Sequence, residues 1–112
     1  GRGQLMKFPT ANIMPKHSNQ LIPAKGVYCV DANVYNRNYS GMCNIGVRPT
    51  FYENGNSVIE VHLITDDKLS LYGKEIQIKF KEFIREEKKY ESAEDLANQL
   101  MQDRYNCQLN YH

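Results

Sequence analysis

The stretch that decides the fold is SVIEVHLI at residues 57–64. Successive side chains of a β-strand point to opposite faces, so every second residue of this stretch shares a face. One face is wholly apolar and consists of Ile59, Val61 and Leu63. The opposite face consists of Val58, Glu60, His62 and Ile64. The pattern predicts a strand that has one face in the core and two ionisable side chains on the other.

Three further stretches have the composition of strands. Residues 26–35 and 38–45 are rich in β-branched and aromatic side chains, and Asn36-Arg37-Asn38 between them suits a tight turn. A second hairpin is signalled by Asn54-Gly55-Asn56, because Asn-Gly favours the positive φ angles of short hairpin turns. Residues 75–81 also alternate, and their predicted inward face consists of Ile76, Ile78 and Phe80.

The chain ends on a helical pattern. Ser92-Ala93-Glu94-Asp95 fits a capping box, which marks the start of a helix. An apolar stripe at helical spacing follows and consists of Ala93, Leu96, Ala97, Leu100 and Met101. We therefore predict one mainly β domain over residues 1–112. Its expected architecture is a small closed antiparallel, Greek-key-like β-barrel with one C-terminal α-helix packed against it.

Charge and composition limit the function classes. The chain has 14 basic and 13 acidic side chains, which gives no electrostatic surface for nucleic acid or an anionic membrane. No apolar run approaches the roughly 20 residues that cross a bilayer, and no leader pattern opens the chain. Cys29, Cys43 and Cys107 contain no Cys-x-x-Cys pair. We expect reduced thiols, a cytoplasmic location and a small-molecule ligand.

The segment FPTAN at residues 8–12 offers two neutral oxygen ligands. Thr10 supplies a hydroxyl and Asn12 an amide carbonyl, and such ligands suit Mg²⁺ that is held mainly by substrate phosphates. After Pro9 we expect the two side chains to point to opposite sides and to converge only if the segment turns. The residue types alone favour a turn in which both satisfy nearby backbone groups. Pattern alone likewise favours a solvated Glu60 over a catalytic one.

Four motifs, in this order, resemble the riboflavin kinase family, specifically the kinase module of bacterial bifunctional riboflavin kinase/FMN adenylyltransferases. They are FPTAN at residues 8–12, NIGVRPTF at 44–51, EVH at 60–62 and LYG at 71–73. The resemblance covers nearly the whole chain. It implies the same β-barrel fold and an ATP:riboflavin 5′-phosphotransferase that converts riboflavin to FMN.

The resemblance also implies roles for single residues. Thr10 and Asn12 bind the Mg²⁺ of ATP, and Glu60 is the general base that takes the proton from the ribityl 5′-hydroxyl of riboflavin. The expected nucleotide-binding segment consists of Gly3, Lys7, Pro9, Thr10 and Asn12. We also expect that the chain is a fragment truncated at its N-terminal edge, with an FMN adenylyltransferase domain before it in the full-length protein.

Two departures from the family pattern leave alternatives open. Lys7 stands where the family usually has glycine, and the segment after residues 60–62 lacks the usual Asp-Phe. These changes suit a catalytically weak or inactive module that binds flavin or nucleotide. A purely structural barrel is the other alternative. The roles of Arg48, His62 and Arg85 stay open at this point.

Overall fold

The computed structural model describes residues 8–16, 21–47 and 57–110. These residues form five strands and one helix. The elements in chain order are β1 (Thr10–Ile13), β2 (Gly26–Val34), β3 (Arg37–Val47), β4 (Ser57–Leu63), β5 (Gln77–Arg85) and α1 (Ala93–Asn110). The predicted mainly β class with one C-terminal helix is confirmed.

The strands pair as one antiparallel sheet in the order β1-β4-β3-β2-β5. β2, β3 and β4 follow one another as neighbours, and β1 lies beside β4, which is a Greek-key arrangement. β1 and β5 form the edges, and among the described residues no hydrogen bonds join these two strands. The sheet is thus compatible with a barrel-like fold, but backbone hydrogen bonds within the described ranges do not close it.

The hairpin between β2 and β3 turns at Tyr35 and Asn36, whose φ angles are 56° and 58°. Two central residues with positive φ make a type I′ turn, whose twist matches that of the flanking strands. Arg37, which the sequence placed in the turn, already pairs with Val34 as part of β3. The predicted turn is therefore placed too late in the chain. The turn predicted at residues 54–56 lies outside the described residues.

One face of the sheet holds the main core. Ile59, Val61 and Leu63 of β4 are buried there, as predicted. Their partners on β2 and β3 are Val30, Ala32, Val34, Tyr39, Cys43 and Ile45. The side chains predicted to face inward from residues 75–81 pack against this cluster and are partly buried. The two-residue period of the sequence therefore assigned this face correctly.

The helix begins where predicted and packs on the opposite face of the sheet. The Ser92 Oγ accepts a hydrogen bond from the backbone N–H of Asp95 at 3.1 Å, which caps the first turn. Leu100 of α1 packs with Cys29 of β2 and Met42 of β3. At 18 residues α1 has enough length, but no helix among the described residues has the hydropathy of a membrane span.

The apolar stripe predicted for α1 is only partly correct. Ala97 and Leu100 are buried, whereas the exposed members are Ala93, Leu96 and Met101. The buried face of the helix continues through Asp103 and Cys107. Each of these two residues links the helix to the sheet, and the two links together set its rotation. A hydrophobic period cannot assign a core position to an aspartate.

The first link is a disulfide bond between Cys29 of β2 and Cys107 of α1. The expectation of three reduced thiols is therefore wrong for this pair. Its members are separated by 78 residues, so only the folded arrangement of helix on sheet brings them together. Cys43 is the free cysteine and is buried in the main core. Burial raises the pKa of its thiol to about 12.

The second link is an ion pair between Arg85 of β5 and Asp103 of α1. The Arg85 Nε and Nη2 donate to the two carboxylate oxygens of Asp103 at 2.9 and 2.8 Å. Gln99 Nε2 donates a further hydrogen bond at 3.0 Å. The hydrogen bonds with Asp103 are the main reason that the pKa of Arg85 is raised. Arg85, whose role the sequence left open, thus ties β5 to the helix through its guanidinium.

Candidate active site

β1 carries both predicted metal ligands on one face. Thr10 and Asn12 are two residues apart in a regular strand and are both exposed. Ala11 and Ile13, which alternate with them, pack against the main core. The expectation that Thr10 and Asn12 point to opposite sides is wrong, because alternate residues of a strand share a face. No turn is needed to bring their oxygens to the same side.

The pairing of β1 with β4 places these ligands beside the predicted base. Thr10 lies opposite His62, and Asn12 lies opposite Glu60. The two pairs are two residues apart, which is about 7 Å along a strand. A hydroxyl, an amide, an imidazole and a carboxylate therefore share one small patch of the sheet, and two elements far apart in sequence supply them.

Pro9 anchors the start of β1 through its carbonyl, which accepts a hydrogen bond from the backbone N–H of Leu63 at 2.9 Å. Proline has no N–H for the ladder, and it is tolerated here because β1 is an edge strand. The bond flanks the Thr10–His62 pair. The Thr10–His62 and Asn12–Glu60 pairs are therefore non-hydrogen-bonded pairs of the ladder. In such pairs the facing side chains come closest.

His62 contacts its polar neighbours on both strands. Its Nδ1 lies 2.8 Å from Thr10 Oγ1, and its Nε2 lies 3.5 Å from Glu60 Oε1. Thr10 Oγ1 also lies 2.8 Å from the carbonyl oxygen of Phe8. His62 is only 7% exposed, whereas the Glu60 side chain is 38% exposed. The ring is thus a buried link between two groups that face solvent.

The environment of Glu60 favours its ionised form. Its pKa is lowered from the ordinary value of 4.5, chiefly by the hydrogen bond with His62, and partial burial opposes this shift. At neutral pH the carboxylate therefore carries a negative charge and can accept a proton.

Asn44 is a site residue that the sequence analysis did not single out. It lies on β3 directly opposite Glu60, so it extends the polar patch by one strand. Its Oδ1 is buried and has no hydrogen-bond partner among the described residues. A buried acceptor without a partner costs free energy, and this oxygen is therefore poised to receive a donor or a cation. The sequence signal that could have found it is a single polar side chain between two apolar residues, Cys43 and Ile45.

A second carboxylate, that of Glu87, lies on the same face, where Gly46 has no side chain and leaves room for it. A side chain at Gly46 would collide with the carboxylate of Glu87, which lies over β3 at this point. Gly46 is two residues beyond Asn44 and so shares its face. The segment that follows β5 therefore borders the polar patch, which the sequence pattern did not indicate.

The donor set suits a hard divalent cation. Thr10, Asn12 and Asn44 offer neutral oxygens, and Glu60 offers one carboxylate, which are ligand types that Mg²⁺ and Ca²⁺ accept. No cluster of three His, Cys, Asp or Glu side chains that could hold a metal occurs in the described part of the chain. A cation in this patch would therefore take much of its coordination from a second molecule such as a phosphate.

Three other candidates, Gly3, Lys7 and Arg48, fall outside the described ranges.

The fold and the patch define a class: a small Greek-key β domain with an oxygen-rich site that includes the ionised carboxylate of Glu60, a combination suited to phosphoryl transfer. The sequence profile of the flavokinase family, described as riboflavin kinase, matches residues 1–110. The chain therefore belongs to the riboflavin kinase family. Enzymes of this family are ATP-dependent phosphotransferases and generally need a divalent metal ion.

Two relatives show how much of a longer protein the chain represents. The bifunctional riboflavin kinase/FMN adenylyltransferase of Bacillus subtilis (strain 168) is 40% identical over 105 residues, which is 92% of this chain and 33% of that protein. The protein of the same name from Escherichia coli (strain K12) is 36% identical over 102 residues, covering 90% and 31%. The chain thus spans about a third of the length of the curated relatives it matches.

A solved structure shares the fold. A crystal structure described as a macrolide-efflux protein from Streptococcus pneumoniae superimposes with a TM-score of 0.79 and 29% sequence identity. The match covers 90% of this chain and 32% of that one. The share of the longer chain is close to that found for the two sequence relatives.

Proposed function

We propose that this domain is an ATP:riboflavin 5′-phosphotransferase, which converts riboflavin and ATP to FMN and ADP. The observation that carries the proposal is the pairing of Asn12 with Glu60 across β1 and β4, with Thr10 on the same face. The residues that the family resemblance assigns to metal binding and to proton transfer thus occur side by side. Family membership over residues 1–110 supports the same reaction.

Glu60 would act as the general base. Its carboxylate accepts the proton of the ribityl 5′-hydroxyl while that oxygen forms a bond to the γ-phosphorus of ATP. The bond between the γ-phosphorus and the oxygen bridging to the β-phosphate breaks, and ADP leaves with the bonding electrons. The proton then passes from Glu60 to water. The lowered pKa of Glu60 keeps the carboxylate ionised before each turnover.

Thr10 and Asn12 would hold Mg²⁺ together with the phosphates of ATP. Bound there, the cation would neutralise the negative charge of the phosphates. The two side chains project from a strand whose register is fixed by backbone pairing with β4, so the domain supplies a preformed edge for the nucleotide. Positioning of this kind is the main contribution a protein makes to phosphoryl transfer.

Three residues before β1 would complete nucleotide binding. Pro9 stiffens the entry to the strand, and Gly3 would allow the backbone to approach ATP closely. Lys7 would place an ammonium group near a phosphate. The roles of Gly3 and Lys7 rest on the sequence pattern.

In its full-length protein the domain would be joined to an FMN adenylyltransferase domain, as the names of its relatives suggest, and the family resemblance puts that domain before it. The proposed location is the cytoplasm, where ATP is abundant. Thiols are mostly reduced in that compartment, whereas the structure joins Cys29 to Cys107, so the proposed location rests on the substrates and not on the cysteines. No nucleic-acid or membrane partner is proposed.

The test measures the formation of FMN from riboflavin and ATP by chromatography. The release of ADP is measured in the same reactions, with and without Mg²⁺. Equal amounts of FMN and ADP are the expected result. A parallel measurement of melting temperature with riboflavin, FMN and Mg²⁺-ADP reports binding, because a ligand that binds the native state stabilises it. Binding without turnover would instead support the inactive module, which the joint presence of Thr10, Asn12 and Glu60 disfavours.

A further inference from the structure

His62 is placed to couple the two halves of the site. Its ring nitrogens are at opposite edges of one rigid plane, and each faces a different functional group: Nδ1 faces the Thr10 hydroxyl at 2.8 Å, and Nε2 faces the Glu60 carboxylate at 3.5 Å. A flexible side chain could satisfy one of these groups without affecting the other. An imidazole that contacts both fixes where each lies relative to the other.

The ring has little freedom to move away from these partners. His62 is 7% exposed, and its register partner on β3, Met42, is 1% exposed. Met42 belongs to the apolar cluster that α1 covers together with Cys29 and Leu100. The position of His62 is therefore supported from the helix side of the sheet, while the groups it contacts face solvent.

Proton accounting shows that the contact orients Thr10. Its hydroxyl has one proton and two neighbouring acceptors, the Phe8 carbonyl oxygen and His62 Nδ1. If Phe8 receives the proton, Nδ1–H donates to Thr10; if Nδ1 receives it, a neutral ring carries its own proton on Nε2, on the side of Glu60. In both arrangements the Thr10 oxygen keeps at least one lone pair free for a cation.

We propose, building on the kinase function proposed above, that His62 is a positioning residue that holds the Thr10 hydroxyl for the metal and the Glu60 carboxylate for the substrate hydroxyl. The metal side and the base side of the site are then aligned by one buried ring. A purely structural histidine would affect stability alone. A positioning histidine affects metal binding through Thr10 and turnover through Glu60, and the two effects can be separated.

Two substitutions separate them. His62→Asn puts an amide near the place of Nδ1, so it keeps a partner for Thr10 and loses the one for Glu60. His62→Gln puts its amide near the place of Nε2 and does the reverse. We expect His62→Asn to lower kcat by about 10- to 100-fold with a nearly unchanged metal activation constant, and His62→Gln to raise that constant by a similar factor. At saturating metal, His62→Gln should retain more of kcat than His62→Asn.

A matched control on the same strand is Ile59→Val, which loosens the core face of β4 and leaves the polar face intact. Melting temperatures of all variants are measured beside kcat, KM and the metal activation constant. If both His62 variants change kcat and the metal constant in parallel, or no more than Ile59→Val does, the positioning role is wrong.

A second measurement does not need activity. ¹⁵N NMR of the His62 ring in full-length wild type, Thr10→Val and Glu60→Gln should show Nδ1 responding to the first substitution and Nε2 to the second. Ring signals that stay unchanged in both variants would contradict the coupling. This test does not need a His62 variant, so it holds even if those variants do not fold. If the wild type forms no FMN, the proposed kinase function is wrong. The ring signals would still decide whether His62 contacts both the Thr10 hydroxyl and the Glu60 carboxylate.

Discussion

Asn12 and Glu60 face each other as directly paired residues of β1 and β4. The proposed metal ligand and the proposed base are thus positioned by a backbone ladder and not by a flexible loop. A strand pair holds facing side chains about 4.5 to 5.5 Å apart at their Cβ atoms. The two side chains therefore start from adjacent points on a rigid backbone, and positioning is the main contribution a protein makes to phosphoryl transfer.

Substitution of Thr10 tests the metal site. Thr10→Val keeps the shape of the side chain and removes the oxygen, so Mg²⁺ activation of FMN formation should weaken by about tenfold or more. Thr10→Ser keeps the hydroxyl and serves as the matched control, with activation close to wild type. The measurement is turnover against Mg²⁺ concentration after the protein has been treated with EDTA. An identical Mg²⁺ dependence for the valine variant would contradict the assignment.

The ion pair between Arg85 and Asp103 should contribute to stability. Asp103→Ala leaves a guanidinium without its carboxylate, and breaking a buried pair in this way costs about 3 to 5 kcal/mol of unfolding free energy. Because the Arg85 side chain is 22% exposed, water relieves part of this cost and the lower end is expected. Urea denaturation measures it.

The control for that experiment replaces both partners. Arg85→Met with Asp103→Leu removes both charges and keeps apolar volume between β5 and α1, so most of the stability should return. If the double variant is as unstable as Asp103→Ala, the stranded charge is not the cause of the loss, and the favourable hydrogen bonds of the pair account for the cost instead.

The three cysteines should react in a defined order. Native protein prepared without reductant should show no thiol that reacts rapidly at pH 8, because Cys43 is buried with a pKa of about 12 and only about 10⁻⁴ of it is thiolate. Unfolding should expose one thiol. Unfolding with reductant should expose all three. A count of three after unfolding alone would show that the Cys29–Cys107 bond is absent from the isolated protein.

The sequence predicted the parts of this fold that depend on local periodicity. Ile59, Val61 and Leu63 alternate with polar residues, and alternation alone assigns a strand and its core face. The capping residue Ser92 was also predicted, because the pattern of residues 92–95 is local. The placement of Asp103 in the core was not, because its burial depends on an arginine that arrives from another element.

The residues of the candidate site were proposed from the family resemblance, whereas their types alone favoured a turn and a solvated glutamate; neither indicated the geometry. Nothing local to Thr10 indicates that it faces His62, since a register between β1 and β4 is a long-range property. Asn44 was missed for the same reason: its importance comes from facing Glu60 across β3 and β4. The motifs predicted the chemistry, and the sheet determined which groups meet.

The role of Glu60 is the central claim, and Glu60→Gln tests it most directly. Glutamine keeps the size and the hydrogen-bonding reach of the side chain but cannot accept the proton of the riboflavin hydroxyl. FMN formation is measured by chromatography at saturating ATP, riboflavin and Mg²⁺, beside the binding of both substrates to wild type and variant. We expect turnover to fall by about 10² to 10⁴, or roughly 3 to 5 kcal/mol in the barrier, with both substrates still bound. A Glu60→Gln variant that makes FMN at close to the wild-type rate would contradict the account.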